Sequence, residues 1–423
     1  MQKSSNEKAA AAPYAWLILA LVFLGMMVSF GMRVSFGAYL SPWEKEFSAS
    51  RSIVTGVSML AMAVSAVSQP LIGKLHDHFG KNIVPTSCVF LMVGSLLLIT
   101  RADQTWQLYA LYGVLYSFSL GGMSGIIAGV ILSNWFVAKR GFAIGLATSG
   151  LAVGQLVFVP VNLFIIERMG WRSTLTMLSI IILVVVAPLY IIFLRNKPEE
   201  KGKKPYGYVE STGETTDNDK EAVIGKKSMS LLNVFKHKAF WIMSLTYFVC
   251  GFTDVGLINT HLVAIAEGKG FSVPNTALAF IMIAIANIGG TILTGHLSDH
   301  FSRKRQLAVI YLIRGFSYVL LILIKNPGLF VVYSLIHGAV EMATIAPTQS
   351  LIVDIFKDYS LGTILGTIAV SHQVGGALGT WLPGLLFDIS GSYFSSLMVG
   401  LVMLAGAAVL SLALPEAAKK ARV

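Results

Sequence analysis

Long apolar runs, each about one bilayer crossing in length, recur along this chain with short polar interruptions between them. An α-helix needs about 20 apolar residues to traverse the hydrocarbon core. The runs lie at roughly 15–40, 53–73, 83–100, 107–133, 141–166, 173–194, 239–264, 275–297, 306–324, 328–353, 361–386 and 393–414, which predicts twelve membrane-spanning helices. Each run is continuous, without the ten-residue alternating segments of a membrane barrel. The first is too long for the 7–15-residue core of a secretory signal and reads as a retained helix.

The longest polar stretch, 195–238, divides the runs six and six. It carries Pro, Gly and mixed charge with no sustained apolar period, so most of it is expected to be a mobile tether. The expected organisation is a six-helix bundle over 1–194, a linker over 195–238 and a second six-helix bundle over 239–423. The halves also read as copies. "GKLHDHFGK" begins at Gly73 after the second run and "GHLSDHFSRK" at Gly295 after the eighth, a shift of 222 residues that superimposes Asp77 on Asp299. The fold class is therefore all-α integral membrane, with twelve transmembrane helices in two pseudo-symmetric six-helix bundles. One such bundle rocking against the other around a central site is a known transporter design.

Composition agrees: 55% of the 423 residues are apolar and 13% charged, about half the charged share of a soluble chain. The net charge of +11 is a matter of placement. Of the lysines and arginines outside the spans, 23 fall on the side holding both termini and 195–238, against seven on the other. The positive-inside rule then puts both termini and the linker in the cytoplasm, in a multi-pass protein of the cell membrane, and no nucleic-acid partner is needed to explain the charge. The two cysteines, Cys88 and Cys250, each lie within a run and offer neither a disulfide framework nor a zinc spacing. No metal or cofactor is expected.

Gly73, Asp77, Gly80 and Lys81 fit the G-x-x-x-D-x-x-G-[RK] loop of the major facilitator superfamily, and Gly295, Asp299 and Arg303 repeat it with Ser302 in place of the glycine. The chain resembles that family over essentially its whole length. The resemblance implies that Asp77, Lys81, Asp299 and Arg303 are gate residues on the cytoplasmic side. A narrower likeness lies in "NWFVAKRGFAIGLATSG", 134–150, which resembles the fifth-helix signature of the monocarboxylate transporters and their bacterial branch. Its aromatic pair is Trp135 and Phe136, followed by Lys139, Arg140, Ala143, Gly145 and Ala147. Two positions depart from that pattern. The acidic, glycine-rich motif before the first helix is reduced to Tyr14-Ala15-Trp16, and Asn287 and Thr291 stand where many members carry an acid and an arginine.

Ionisable residues inside the runs are costly, about 2.5–3.5 kcal/mol for a central Arg by insertion scales, and are functional candidates by default. They are Arg33, Asp254, Arg314 and Glu341, with His261, His337 and His372. Arg314 is expected to be structural or to snorkel. Glu341 shares a helix face with His337, four residues earlier, so these two are expected to satisfy one another or to carry protons. The repeat places Asp254 within a turn of the point equivalent to Arg33, on helices that line the cavity in the resembled family. Two readings stand: Arg33 binds substrate with Asp254 as its partner in the empty state, or the two form a permanent structural pair. Ser29, Arg33 and Gly37 share a face at helical spacing, which predicts room beside the guanidinium. Tyr116, Gln155, Asn259, Asn287 and His372 are further candidate substrate contacts. Glycines four apart, such as Gly150 and Gly154, read as close helix contacts.

One arginine with a few hydroxyl and amide groups suits a small organic anion better than a sugar. The expected function is a secondary active transporter moving such an anion, a monocarboxylate by the resemblance, by alternating access with proton coupling through Asp254 and Glu341. The expected partners are that anion, a proton and the lipid bilayer, with the protein acting as a monomer. Proton-driven efflux of drugs or metabolites and a transporter-like sensor remain alternatives. An enzyme is not expected, because the buried groups are too few and dispersed to form a nucleophile–base pair.

Overall fold

The computed structural model describes residues 2–79, 82–208, 234–356, 359 and 361–415. Helix dominates, and among the described residues the only extended pairing is a single bridge between Phe136 and Tyr206. Lipid offers no partner to a backbone N–H or C=O, and a helix satisfies both within itself. Nine helical stretches among the described residues are long and apolar enough to cross a bilayer. One of them, Arg140–Phe193, is broken at Gly170, where φ is 78°, a conformation that glycine adopts without a Cβ clash. Ile83–Ile99 is apolar but shorter, and Leu361–Ser390 is a further helix of 30 residues. Helices cover each of the apolar runs of the sequence.

The residues group into two compact units. The first comprises Met1–Tyr208 with Asn259–Ala284 and Phe387–Ile389, and the second Val209–Ile258, Ile285–Leu386 and Ser390–Val423. The first unit thus draws in two pieces from beyond the linker.

Within the first unit the opening run is two helices, Gln2–Val34 and Phe36–Glu46, separated by a turn at Ser35. The Ser35 hydroxyl donates to the Gly31 carbonyl at 2.7 Å and accepts from Nδ2 of Asn162 at 3.2 Å. This break interrupts the helical phase beyond Arg33. Gly37 consequently does not leave room beside the guanidinium as its spacing predicts; a Cβ there would stand 2.7 Å from the Thr260 carbonyl oxygen. Gly154 likewise admits a neighbouring backbone, since a Cβ would overlap the Met27 carbonyl. Gly141 and Gly145 have nothing within 4 Å, so only part of the small-residue pattern is contact seam.

A polar clasp holds the incoming pieces. Ser41 donates to Oε2 of Glu267 at 2.6 Å, and Arg51 pairs with Glu44 at 2.5 Å while lying 3.9 Å above the Phe387 ring. The Asp388 carboxylate accepts from the backbone N–H of Arg51 and of Ser52, at 2.9 and 2.8 Å. Those amides open the Arg51–Phe79 helix and have no partner within it.

The start of the expected tether is folded. Residues 195–208 form a strap against the loop between Trp135 and Arg140. Trp135 donates Nε1–H to the Arg195 carbonyl at 2.8 Å, Tyr206 donates its N–H to the Trp135 carbonyl at 2.7 Å, and Val137 donates to the Tyr206 carbonyl at 3.0 Å. Low apolar content concealed this, because backbone groups and a few aromatic rings do the holding. Residues 209–233 lie outside the described residues.

Candidate functional site

Two polar centres lie inside spanning segments, one in each unit. Both sit where the helix loosens into π-helix, over Tyr109–Tyr116 and over Gly251–Ile258. Such segments recur at functional sites because the wider turn displaces backbone groups from the ladder. Here side chains recover the displaced carbonyls: Ser117 donates to Tyr112 at 2.8 Å, and Tyr318 donates to Thr253 at 2.5 Å.

The first centre is Arg33, one residue from the end of the Gln2–Val34 helix. Its electrostatic neighbours are Tyr112 and Tyr116, whose rings stack at 4.6 Å. No carboxylate among the described residues is in an ion pair with Arg33. The Tyr116 hydroxyl is buried and has no hydrogen-bond partner among the described residues. A buried hydroxyl left this way costs about 1–3 kcal/mol. A guanidinium and an unused phenol in one unit are donors awaiting an acceptor. Of the other sequence candidates, fully buried Gln155 and nearly buried Asn259 belong to the same unit. Tyr112 was missed by sequence reasoning; its spacing of four from Tyr116 places it on the same helix face and was the available signal.

The second centre joins three helices of the second unit. The Asp254 carboxylate lies 3.4 Å from Nε2 of His337, an ion pair only when the imidazole is protonated. Neither that carboxylate oxygen nor Nε2 has a hydrogen bond among the described residues. Nδ1 of His337 meets the Ser317 hydroxyl at 3.1 Å, and the Tyr333 ring stacks on the imidazole at 5.4 Å. The expected His337–Glu341 pair is therefore replaced: His337 meets Asp254 and Ser317, and Glu341 accepts from Nδ2 of Asn287 at 2.7 Å. The exchange comes from partners on neighbouring helices, and a break lies just beyond the pair. The Pro327–Glu341 helix stops at Glu341 and Ile345–Ile355 begins afresh, so Glu341 sits at a helix end.

Arg314, fully buried, serves that break. It donates to the carbonyls of Val340 and Glu341 at 2.5 and 2.7 Å, and to Sγ of Cys250 at 3.2 Å. A cation at a helix C-terminus complements the dipole and the orphan carbonyls. The His372 ring lies 4.6 Å from that of Tyr247, and its side chain meets Cys250.

Among the gate candidates, Arg303 donates to the Ser298 carbonyl at 3.2 Å and pairs with Asp354. Asp77 and Asp299 lie in described helices, but their side chains, like Lys81, are outside the described residues. Among the described residues no group of His, Cys, Asp or Glu converges as metal ligands would.

Ionisable side chains held inside apolar spanning helices mark a substrate or ion pathway. They make this a membrane-transport protein in design. The Major Facilitator Superfamily model matches residues 21–330 and 252–423, and the chain belongs to that family; it is a transporter and not an enzyme. Among its relatives is the uncharacterized MFS-type transporter YcxA of Bacillus subtilis (strain 168), 26% identical and covering 94% of each chain. Monocarboxylate transporter 13 of Rattus norvegicus is 24% identical over 94% of this chain and 88% of its own. The crystal structure of a D-xylose-proton symporter shares the fold at a TM-score of 0.75, with 16% identity, over 96% of this chain and 99% of that one.

Proposed function

We propose that this protein is a proton-coupled symporter of a small monocarboxylate in the cytoplasmic membrane, acting as a monomer by alternating access. The observation that carries the reading is Arg33 beside Tyr116: among the described residues, a buried, unused hydroxyl and a guanidinium with no carboxylate partner. A planar carboxylate accepts two parallel N–H bonds from an arginine, and the phenol can supply a third donor. Gln155 and Asn259, which belong to the same unit, are the groups available to the rest of the substrate.

The proton is held by Asp254 with His337. With one proton between them the pair is either a carboxylic acid beside a neutral imidazole or a carboxylate beside an imidazolium. Without that proton the buried carboxylate loses its imidazolium partner, which is costly even with Arg314 as an electrostatic neighbour. Anion and proton crossing together move no net charge. Glu341, held by Asn287, is the second carboxyl available for coupling. Asp77, Lys81, Asp299 and Arg303 form the gate at the end where charge placement puts the cytoplasm, with both termini on that side. The relatives that include a monocarboxylate transporter support the substrate class.

Uptake of radiolabelled lactate into sealed vesicles containing the purified protein tests this directly. Accumulation driven by an inward proton gradient is expected. Accumulation of a neutral sugar or extrusion of a cationic drug, with no response to lactate, sinks it.

A further inference from the structure

The strap over 195–208 has a chemistry that transport does not use. It carries five cations between Arg195 and Lys204 against Glu199 and Glu200, and it lies on the loop that holds Lys139 and Arg140. One of the two acids is already engaged, since Oε1 of Glu200 accepts from the backbone N–H of Asn196 and of Lys197 at 3.1 and 3.0 Å. Loose basic loops are common. This one is anchored by the Trp135, Tyr206 and Val137 hydrogen bonds described above, and by Trp16, whose ring meets those of Phe136 and Tyr206 at 5.5 and 5.9 Å.

Every piece of this assembly sits at the end of a spanning helix. Trp135 closes the Gly125–Trp135 helix, Arg140 opens the next, and Arg195 follows the Ala187–Phe193 helix by two residues. The strap therefore lies at the level where chain leaves hydrocarbon for headgroups. Its side chains match that level. Lys203 is 5.0 Å from the Tyr14 ring and Lys204 5.3 Å from that of Tyr208, so the ammonium groups ride on amphipathic rings of the kind that belong at a membrane interface. In the chain Val137 and Phe142 flank Lys139 and Arg140 and Tyr208 follows the strap lysines, and these three are 53%, 60% and 44% exposed. Cations interleaved with exposed apolar groups fit a phosphate headgroup above acyl chains.

We propose that the strap is a preformed site for anionic phospholipid headgroups, its lysines held in the headgroup plane by the aromatic pair Trp135 and Phe136. A lysine near an anionic surface contributes about 1 kcal/mol, roughly fivefold in partition. A strap fixed in place presents several at once without first losing chain entropy. This proposal is independent of the transported substrate and of which side faces the cytoplasm.

Native mass spectrometry of the detergent-purified full chain, titrated with phosphatidylglycerol or phosphatidylcholine, is the test. Phosphatidylglycerol should be retained at least about tenfold more strongly, and millimolar inorganic phosphate should not displace it. Converting Lys197, Lys201, Lys203 and Lys204 to Gln should abolish the preference, while Lys304→Gln with Arg305→Gln, basic residues elsewhere, should keep it. Gly207→Val retains every charge but unseats the strap, because Gly207 has a φ of +79° and a Cβ there would overlap Ala138. That variant should lose most of the preference. Equal retention of the two lipids overturns the proposal and leaves the cations to an acidic protein partner. An unchanged preference in Gly207→Val overturns it too, because charge alone would then suffice; displacement by phosphate would reduce it to a simple anion site.

Discussion

Oδ1 of Asp254 stands 3.4 Å from Nε2 of His337, and the other imidazole nitrogen is taken by the Ser317 hydroxyl. Both side chains are buried, and in the proposed mechanism they hold one proton between them. The pair belongs wholly to the second unit, and Arg33 to the first.

Asp254→Asn should keep anion binding within a few fold and permit exchange of labelled for unlabelled substrate. Uphill accumulation and the pH dependence of transport should vanish. His337→Gln should move the pH profile without flattening it, because the carboxyl remains. Vesicle uptake measured across pH 5–9 distinguishes the two, and full proton-driven accumulation by Asp254→Asn would count against the coupling role.

Tyr116→Phe separates function from folding. The hydroxyl has no partner in the described structure, so its removal should leave thermal stability unchanged or slightly raised. If the hydroxyl donates to a bound carboxylate, affinity should fall about tenfold or more, as for a hydrogen bond to a charged group worth roughly 1.5–3 kcal/mol. Arg33→Lys keeps the charge but loses the planar fork, so binding should weaken further. Isothermal titration with a small monocarboxylate, alongside melting curves, reads both. Wild-type affinity in these variants would remove Arg33 and Tyr116 from the site.

Asp388→Ala should destabilise the clasp by about 1 kcal/mol, the usual cost of a lost helix cap. Burial pushes the Asp388 carboxyl up, but the Ser52 hydroxyl and the amides of Ser52 and Arg51 outweigh it and hold it below the ordinary carboxylate value of 3.8. A carboxyl depressed on folding stabilises fully above its unfolded value, and that contribution is lost as pH falls through the folded one. The melting temperatures of wild type and Asp388→Ala should therefore differ at pH 6 and draw together as pH falls below the ordinary carboxylate value of 3.8. A difference that stays constant below that value would mean the carboxylate does not act as a cap.

Arg314→Met should be among the most damaging substitutions in the second unit. It strips two buried carbonyls at the Glu341 break of their donor, at a cost of about 2–4 kcal/mol. The loss should appear as a lower melting temperature, with substrate affinity per folded molecule largely retained. A substrate-binding role would give the opposite pattern, normal stability with lost affinity.

Much of this protein is local in the chain and was legible there. Apolar runs of bilayer length settle where helices form, because the constraint on each span is its own hydrogen bonding and its own lipid contact. The repeated Asp77 and Asp299 loops carry the family. Residue pairing is different. His337 and Glu341 share a face by helical arithmetic, yet neighbouring helices bring Asp254 to one and Asn287 to the other. Gly37 follows Arg33 by one turn, but the kink at Ser35 sends it against the Thr260 backbone. The strap at 195–208 has almost no apolar period, and only the docked surface of Trp135 and Phe136 gives it a fold. Spans were decided by the sequence because their energetics lie within about 20 residues. Partners were decided by tertiary structure, because they depend on the depth, rotation and interruption of helices far apart in the chain.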